Sequence, residues 1–566
     1  MNNSAVTPNM LPWSSFYDSE VPLSMHYPKL PIFELFHKSV RDHADKTALV
    51  FFGKSITYEE LGRQVNSMVN GLKNSGIQPG DRVALLLPNC PQYVISYYSI
   101  LMLGATVVPL NPLNTEKELL YIVRDSSIRA AISLDLLAGK LETVRDRCRE
   151  NGEYHLLEYT FYTSLKDFLP LPLNILYPLK QKLDPNAKKR LAGARQLKEL
   201  LAVKAETHTP PEIDVHKDMA VIIYTGGTTG KPKGVMLSHY ALVVNASHCK
   251  TWVHMSSADS LLAVLPLFHG FGMSVCMNAT MLSGAQAILL PRYNEEELLK
   301  AIHRFSPTLF AGVPTMYIGL INHRQLGRYN LSSLNGCFVG AAPLAPEVKR
   351  QFEILTGSQL MEGYGLTEAV TAKTVNPFKG VNKTGSIGIP MSDTIMRVVD
   401  METGKKELPP GEIGEIILKS PDIMLGYYNK PEETAAAIRD GWLYTGDMGY
   451  MDEDGYFFIV DRKKDMIITG GFNVYPREVE DVLFQHPAVQ EACVIGIADD
   501  YRGEAVKAFI VLKEEKNAEA DEITNFCREH LVPYKVPRHV EFCQALPKTA
   551  IGKVLKKALR EQEENV

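Results

Sequence analysis

Residues 83–115 carry no charged side chain. An uncharged stretch of that length must either cross a membrane or lie inside a protein core. Pro88, Asn89, Pro91, Gly104 and Pro109 interrupt it, which suits several short elements better than one spanning helix. The spacing predicts a strand over 81–87, a helix over 91–103 and a second strand over 105–110. Two strands joined through a helix form a crossover unit, so a mainly parallel sheet covered by helices is expected. Further strands are expected at 285–290, 309–313 and 336–339, several of them followed by loops rich in Gly and Pro. In such α/β folds ligands sit beyond the carboxyl ends of the strands, where these loops fall.

With 566 residues, 45% of them hydrophobic, the chain can bury more than one core. Its character changes after Asp461. Helices at 476–484 and 521–531 with strands at 492–497, 506–512 and 538–542 predict a small α+β domain. The expected division is a large N-terminal domain of sheets flanked by helices, 1–463, and a small mobile C-terminal domain, 464–566. The formal net charge of −5 gives no global attraction to nucleic acid. The 8 cysteines are scattered, without paired spacing for zinc or a redox centre, and suit reduced thiols. The first sixteen residues lack a basic region followed by an apolar core, so no secretory signal is expected and a cytoplasmic location is.

Residues 224–234 read Tyr-Thr-Gly-Gly-Thr-Thr-Gly-Lys-Pro-Lys-Gly, after the apolar run 219–224. Gly226, Gly227 and Gly230 let backbone N–H groups turn toward an anion. Thr225, Thr228 and Thr229 add hydroxyls, and Lys231 and Lys233 add positive charge. The spacing is not that of the common P-loop, because three residues separate Gly226 from Gly230 and Pro232 follows the lysine. A surface turn would have the same glycines; two lysines and three threonines exceed what a turn needs.

The segment 168–179, Phe-Leu-Pro-Leu-Pro-Leu-Asn-Ile-Leu-Tyr-Pro-Leu, is apolar and proline-punctuated. The stretch after it to Leu200 holds Lys180, Lys182, Lys188, Lys189, Arg190, Arg195 and Lys198 against Asp184 and Glu199. An apolar wedge beside a basic face suits peripheral contact with an anionic membrane on its cytoplasmic side. It equally suits an insertion folded back on the large domain with a solvated charged helix. Both readings stand.

Five more segments follow in order: Gly340-Ala341-Ala342-Pro343, Tyr364-Gly365-Leu366-Thr367-Glu368, Tyr444-Thr445-Gly446-Asp447, Asp461-Arg462-Lys463-Lys464-Asp465 and Pro547-Lys548-Thr549-Ala550-Ile551-Gly552-Lys553. Together with the loop at 225–233 they resemble the adenylate-forming superfamily of acyl-CoA synthetases, adenylation domains and beetle luciferases. The likeness spans almost the whole chain and is nearest to bacterial long-chain fatty-acid–CoA ligases. It implies an AMP-forming ligase using ATP, Mg²⁺ and coenzyme A on a fatty acid. Under it the 225–233 loop holds the β- and γ-phosphates, Thr367 donates to the α-phosphate, and Glu368 with Thr228 serves the metal. Gly363 and Tyr364 with Gly340, Ala341 and Ala342 receive adenine, Asp447 accepts the ribose hydroxyls, and Arg462 assists at ribose or phosphate. Lys553 stabilises the transition state at the α-phosphate, and Lys464 marks the interdomain hinge, where many synthetases carry Asp. His269, in Leu265-Pro266-Leu267-Phe268-His269-Gly270-Phe271-Gly272-Met273, stands beside the acyl carboxylate. That segment's apolar residues and Gly312-Val313-Pro314-Thr315 are candidates for an acyl tunnel. Gly470, Gly471, Phe472, Arg502 and Lys535 match coenzyme A positions.

The resemblance leaves rivals. These are a ligase loading a carrier protein, a medium-chain or aromatic acid–CoA ligase, a peptide-synthetase module, a luciferase-type oxygenase, or a catalytically silent lipid-binding factor. The coenzyme A matches argue against the first, the chain's end about a dozen residues after Lys553 against the module, and Lys553, Glu368 and Asp447 against the silent factor. Chain-length preference and the choice between monomer and homodimer stay open.

Overall fold

The computed structural model describes residues 11–181, 195–206, 208–225, 232–499, 501–514, 516–549 and 554–564. The uncharged stretch folds as strand Arg82–Leu86, helix Pro91–Met102 and strand Thr106–Pro109. Every residue of that helix is buried, and proline opens it, where its missing N–H costs nothing. The two strands pair in parallel, with Leu85 opposite Pro109. Gly104, at φ +77°, turns the chain between helix and strand, and a Cβ there would lie 2.5 Å from the Pro211 ring.

This unit lies inside an eight-stranded sheet ordered Gly426–Tyr427, Lys233–Ser238, Met219–Thr225, Thr106–Pro109, Arg82–Leu86, Ala130–Leu134, Tyr159–Thr163, Arg195–Gln196. A nine-stranded sheet contains the expected strands Gln286–Leu289, Leu309–Gly312 and Gly336–Val339, the last two paired in parallel. Helix Tyr58–Asn74 starts at a Thr57/Glu60 capping box. Its buried Tyr58 hydroxyl donates to the Ala285 carbonyl at 2.6 Å, tying the helix to the nine-stranded sheet's edge of the core. Phe36 stacks on Tyr98 at 4.3 Å within the same apolar core.

The expected mainly parallel arrangement is incomplete. A third sheet, of Ile395–Val399, Gly414–Lys419, Trp442–Met451, Ile438–Arg439 and Phe457–Arg462, pairs entirely antiparallel. Antiparallel strands need no crossover helix, and with only the short helix Pro431–Ala437 inside it this region lacks the alternation that marked the other two sheets. Gly449 is required there, since a Cβ would meet the Phe458 carbonyl at 2.2 Å.

From Ile467 onward the strands form their own five-stranded sheet, with helices Pro476–Leu483, Ala520–His530 and Lys556–Glu564. Val489–Asp499 and Gly503–Leu512 are longer than the expected strands, because one continuous antiparallel pair carries both ends to the turn. Their apolar residues form clusters of their own around Ile467, Val494, Ile510 and Cys527, and around Phe509 and Leu559.

The proline-punctuated segment divides. Phe168 and Leu169 are buried, whereas Leu171, Leu173, Ile175 and Leu176 are 72%, 41%, 66% and 51% exposed. The basic stretch 182–194 lies outside the described residues. Among the described residues, no helix is long and apolar enough to cross a membrane. The eight cysteines are free thiols, and seven are buried.

Candidate active site

Strands Met219–Thr225 and Lys233–Ser238 run antiparallel and place Thr225 opposite Lys233, with the Thr225 hydroxyl 3.4 Å from the Lys233 carbonyl. Gly226, Gly227, Thr228, Thr229, Gly230 and Lys231, which join them, lie outside the described residues. The Lys233 ammonium sits 4.9 Å from the centre of the Tyr427 ring. The Tyr427 hydroxyl donates to Glu368 Oε1 at 2.7 Å. Burial and the Glu368 charge push that hydroxyl's pKa far above the usual range, so it remains a donor. One end of the glycine-rich loop is thereby joined to Glu368 through Tyr427, a residue no motif had singled out.

Glu368 follows strand Gln359–Gly365, in the short turn Thr367–Ala369, and its carbonyl accepts from the Met424 N–H at 2.8 Å. Val370 closes this turn at φ +64°, a conformation that a β-branched side chain rarely adopts. Gly270 meets it, since a Cβ there would lie 2.4 Å from the Val370 carbonyl. The strained turn is therefore held from the His269 segment. Among the described residues no three His, Cys, Asp or Glu side chains form a metal cage. A single carboxylate at Glu368 fits Mg²⁺, which keeps waters and shares its coordination with substrate phosphates.

The Tyr364 hydroxyl donates to Asp447 Oδ2 at 2.6 Å, and Arg462 Nε lies 3.2 Å from Asp447 Oδ1. Asp447 and Arg462 face each other across an antiparallel pair. The turn before Asp447 is fixed by Gly446 at φ +71° and by the Thr445 hydroxyl, which accepts from the Asp447 N–H at 3.1 Å. The adenine and ribose candidates thus converge from two sheets.

Beside them opens an apolar cavity. Gly340, Ala341, Gly363, Tyr364 and Gly365 form one side of its lining with His269 and Phe271, and Cys249, Trp252, Val253, Met255 and Val275 also line it. Ala342 follows Ala341 in the same turn, and Ala341 is at φ +67°. His269 Nδ1 accepts from the Phe271 N–H at 3.3 Å. The helix after it opens into a π-helix over Gly272–Ala279, wider than an α-helix. Two expectations are corrected here. Gly312-Val313-Pro314-Thr315 are not among the lining residues: Gly312 packs between the Phe310 and Tyr317 rings, and Val313 is buried. Leu265 and Leu267 belong to the core, so of the 265–273 segment only His269 and Phe271 reach the cavity. Gly312 and Val313 at the end of their strand serve packing, whereas Phe338 and Val339 at the end of theirs line the cavity. So do Cys249 and Trp252 near the end of helix His239–Trp252, whose residues carry no local signal for it.

The coenzyme A candidates gather on one exposed face of the small domain. The Gly470 N–H donates to the Arg502 carbonyl at 2.9 Å, and Gly470, Gly471 and Phe472 are exposed. Phe472 stacks on Tyr534 at 4.6 Å, next to Lys535, whose ammonium pairs with Glu478 at 2.5 Å. Lys464 lies in the turn that leaves Arg462, where Asp465 and Met466 both donate N–H bonds to the Arg462 carbonyl. Desolvation, then the neighbouring Arg462 charge, lower its ammonium pKa to about 8. Lys553 lies outside the described residues; Lys548 and Val554 form an isolated antiparallel bridge.

The AMP-binding enzyme family matches residues 36–428, and the AMP-binding enzyme C-terminal domain matches residues 478–553. The chain is 46% identical over 563 residues to a long-chain-fatty-acid–CoA ligase of Bacillus subtilis (strain 168), covering 98% of both. It is 35% identical to a long-chain-fatty-acid–CoA ligase of Escherichia coli O6:H1, covering 97% of this chain and 98% of the other. Among solved structures, the anthranilate CoA ligase AuaEII in complex with anthranoyl-AMP superposes with a TM-score of 0.83 at 29% identity, over 96% of this chain and 98% of that one. With the nucleotide-site motifs brought together by two of its sheets, this chain belongs to the AMP-binding enzyme family.

Proposed function

We propose that this enzyme is a long-chain-fatty-acid–CoA ligase, working on the carboxylate in two steps. The observation that carries the reading is the apolar cavity whose lining joins His269 to the adenine motif, in a chain so similar to the Bacillus subtilis ligase. A carboxylate resists nucleophiles because its negative charge repels them and its resonance is lost on attack. In the first step its oxygen attacks the α-phosphorus of ATP, and the bond to pyrophosphate breaks. In the second, the coenzyme A sulfur attacks the acyl carbon and AMP departs.

The side chains divide this work. Tyr364 and Arg462 hold the Asp447 carboxylate in place, which leaves it oriented to accept the ribose hydroxyls. The 225–233 loop carries the phosphates, and Thr367 donates toward the α-phosphate. Glu368, steadied by Tyr427, would hold Mg²⁺, which when bound neutralises charge on the phosphate oxygens. Lys553 supplies positive charge where it develops on the α-phosphate. Gly470, Gly471, Phe472, Arg502 and Lys535 receive coenzyme A. The small domain, 464–566, turns about Lys464 between the steps.

A second reading concerns location. Leu171, Leu173, Ile175 and Leu176 stand exposed immediately before the basic sequence, and would bring a cytoplasmic enzyme to an anionic bilayer, the source of long acyl chains. Loss of vesicle sedimentation on replacing Lys188, Lys189 and Arg190 by Gln is the expected result; unchanged sedimentation rejects it. For the activity itself, AMP release is measured with acids of two to twenty carbons and with anthranilate. Maximal turnover on acetate or the aromatic acid refutes the long-chain assignment.

A further inference from the structure

The strand Phe457–Arg462 ends at the hinge, and helix Pro476–Leu483 follows it in the small domain. Arg477, at the start of that helix, reaches back across the hinge. Its N–H donates to Asp461 Oδ2 at 3.0 Å, and its guanidinium Nη1 donates to the Ile459 carbonyl at 2.7 Å. The other Asp461 oxygen accepts the Arg462 N–H at 2.7 Å. One carboxylate thus ties the seat of the small domain to the residue that reaches Asp447. The Arg477 side chain is 13% exposed, and its Nε lies 3.9 Å from Asp481. By contrast, the Arg324–Glu514 pair, which also joins the two parts, is 83% and 82% exposed and contributes little.

In the rotation about Lys464 proposed above, Ile459 and Asp461 would stay with the large domain and Arg477 would move. We propose that Arg477 is a positioning residue, a latch that seats the small domain for adenylate formation and must be released before thioester formation. The proposal rests on the two-step reaction put forward above. The coenzyme A face supports the order of events: Gly470, Gly471 and Phe472 are exposed to solvent in the latched arrangement and take no part in lining the cavity beside His269. Electrostatics adds a restoring tendency. Glu362, buried beside the adenine motif, is raised by desolvation, which the Arg477 charge opposes most, the Leu344 N–H and Lys349 less, while Asp481 adds to it. Withdrawing Arg477 leaves that carboxylate less compensated, which favours return of the latch.

The experiment compares wild-type enzyme with Arg477→Ala and Arg477→Lys, the latter retaining one donor for the Ile459 carbonyl. Lys463 and Lys464 are exposed in the hinge turn, so trypsin cleavage there reports opening without any substrate. Single-turnover pyrophosphate release and thioester formation from supplied palmitoyl-AMP read the two steps separately. Expected for Arg477→Ala are hinge cleavage several-fold faster, adenylation several-fold slower and an undiminished thioester step, with Arg477→Lys between it and wild type. Unchanged cleavage and an unchanged ratio of the two steps would overturn the latch, as would equal slowing of both steps. Wild-type enzyme inactive on every acid tested would instead refute the functional reading, while the cleavage comparison would still judge the latch.

Discussion

Replacing Lys373 by methionine removes the ammonium from an ion pair with no solvent exposure at either partner. Lys373 contacts Asp422 Oδ2, and both side chains are 0% exposed. Asp422 also accepts from Asn245 Nδ2 at 2.9 Å and from the Ser420 hydroxyl at 2.5 Å, and His248 Nδ1 lies 3.9 Å away. Burial alone would raise the Asp422 carboxyl; the Lys373 charge, together with His248 and the hydrogen bonds from Lys373 and Ser420, outweighs it and holds the pKa below the ordinary value. Breaking such a pair by removing one partner costs about 3–5 kcal/mol. The two remaining donors to Asp422 place Lys373→Met near the lower end, about 3 kcal/mol. Lys373→Met combined with Asp422→Asn leaves no unpaired charge and should recover about 2 kcal/mol of that loss. Calorimetric melting at pH 7 and pH 5, with urea unfolding followed by near-ultraviolet circular dichroism, measures both variants. The deficit of the single variant should shrink in acid, because a protonated Asp422 stays buried at less cost. A loss below about 1 kcal/mol for the single variant, or a double variant no better than the single one, would refute the argument. The site should feel it too, since Ala372, next in sequence, lines the cavity, and Met424, two residues beyond Asp422, bonds the Glu368 carbonyl.

Lys553→Ala should lose adenylate formation while keeping thioester synthesis from supplied acyl adenylate; equal loss of both half-reactions would contradict its assigned role. Glu368→Ala should shift the Mg²⁺ titration of turnover to about tenfold higher concentration or beyond. An unchanged titration removes Glu368 from the metal site. Lys464→Pro, which fixes φ near −65° and removes an N–H, should still make adenylate but lose most thioester formation, whereas Lys464→Ala keeps both; wild-type turnover by the proline variant would move the hinge elsewhere. Burial raises Glu362 from 4.5 to about 7. Between those values the folded state holds more protons, so this group's contribution to stability falls as pH rises through the window. Glu362→Gln should therefore melt higher than wild type at pH 8, with the gap closing toward pH 5, and a gap independent of pH would be the contrary result.

The order of the motifs and the strand–helix–strand pattern at 81–110 were legible in the sequence because both are local. A parallel crossover unit needs apolar strands and a helix with its breaks at Pro and Gly, and each mark falls within a few residues. Likewise Thr225, Tyr364, Asp447 and Arg462 could be named from short motifs. Only the tertiary structure brought Tyr364 and Arg462 onto the Asp447 carboxylate and Tyr427 onto Glu368, because these partners come from separate elements. Beyond His269, Gly340, Ala341, Gly363 and Tyr364, the cavity lining was illegible for the same reason. Trp252 and Met255 have the composition of core residues, and whether an apolar side chain faces a neighbour or a cavity depends on what packs opposite it. The antiparallel third sheet escaped because antiparallel strands need no crossover helix, and the short helix Pro431–Ala437 between two of its paired strands gives no strand–helix–strand alternation. Sequence determined the chemistry that the chain carries; packing over hundreds of residues decided which groups meet, since burial and charge pairing depend on neighbours distant along the chain.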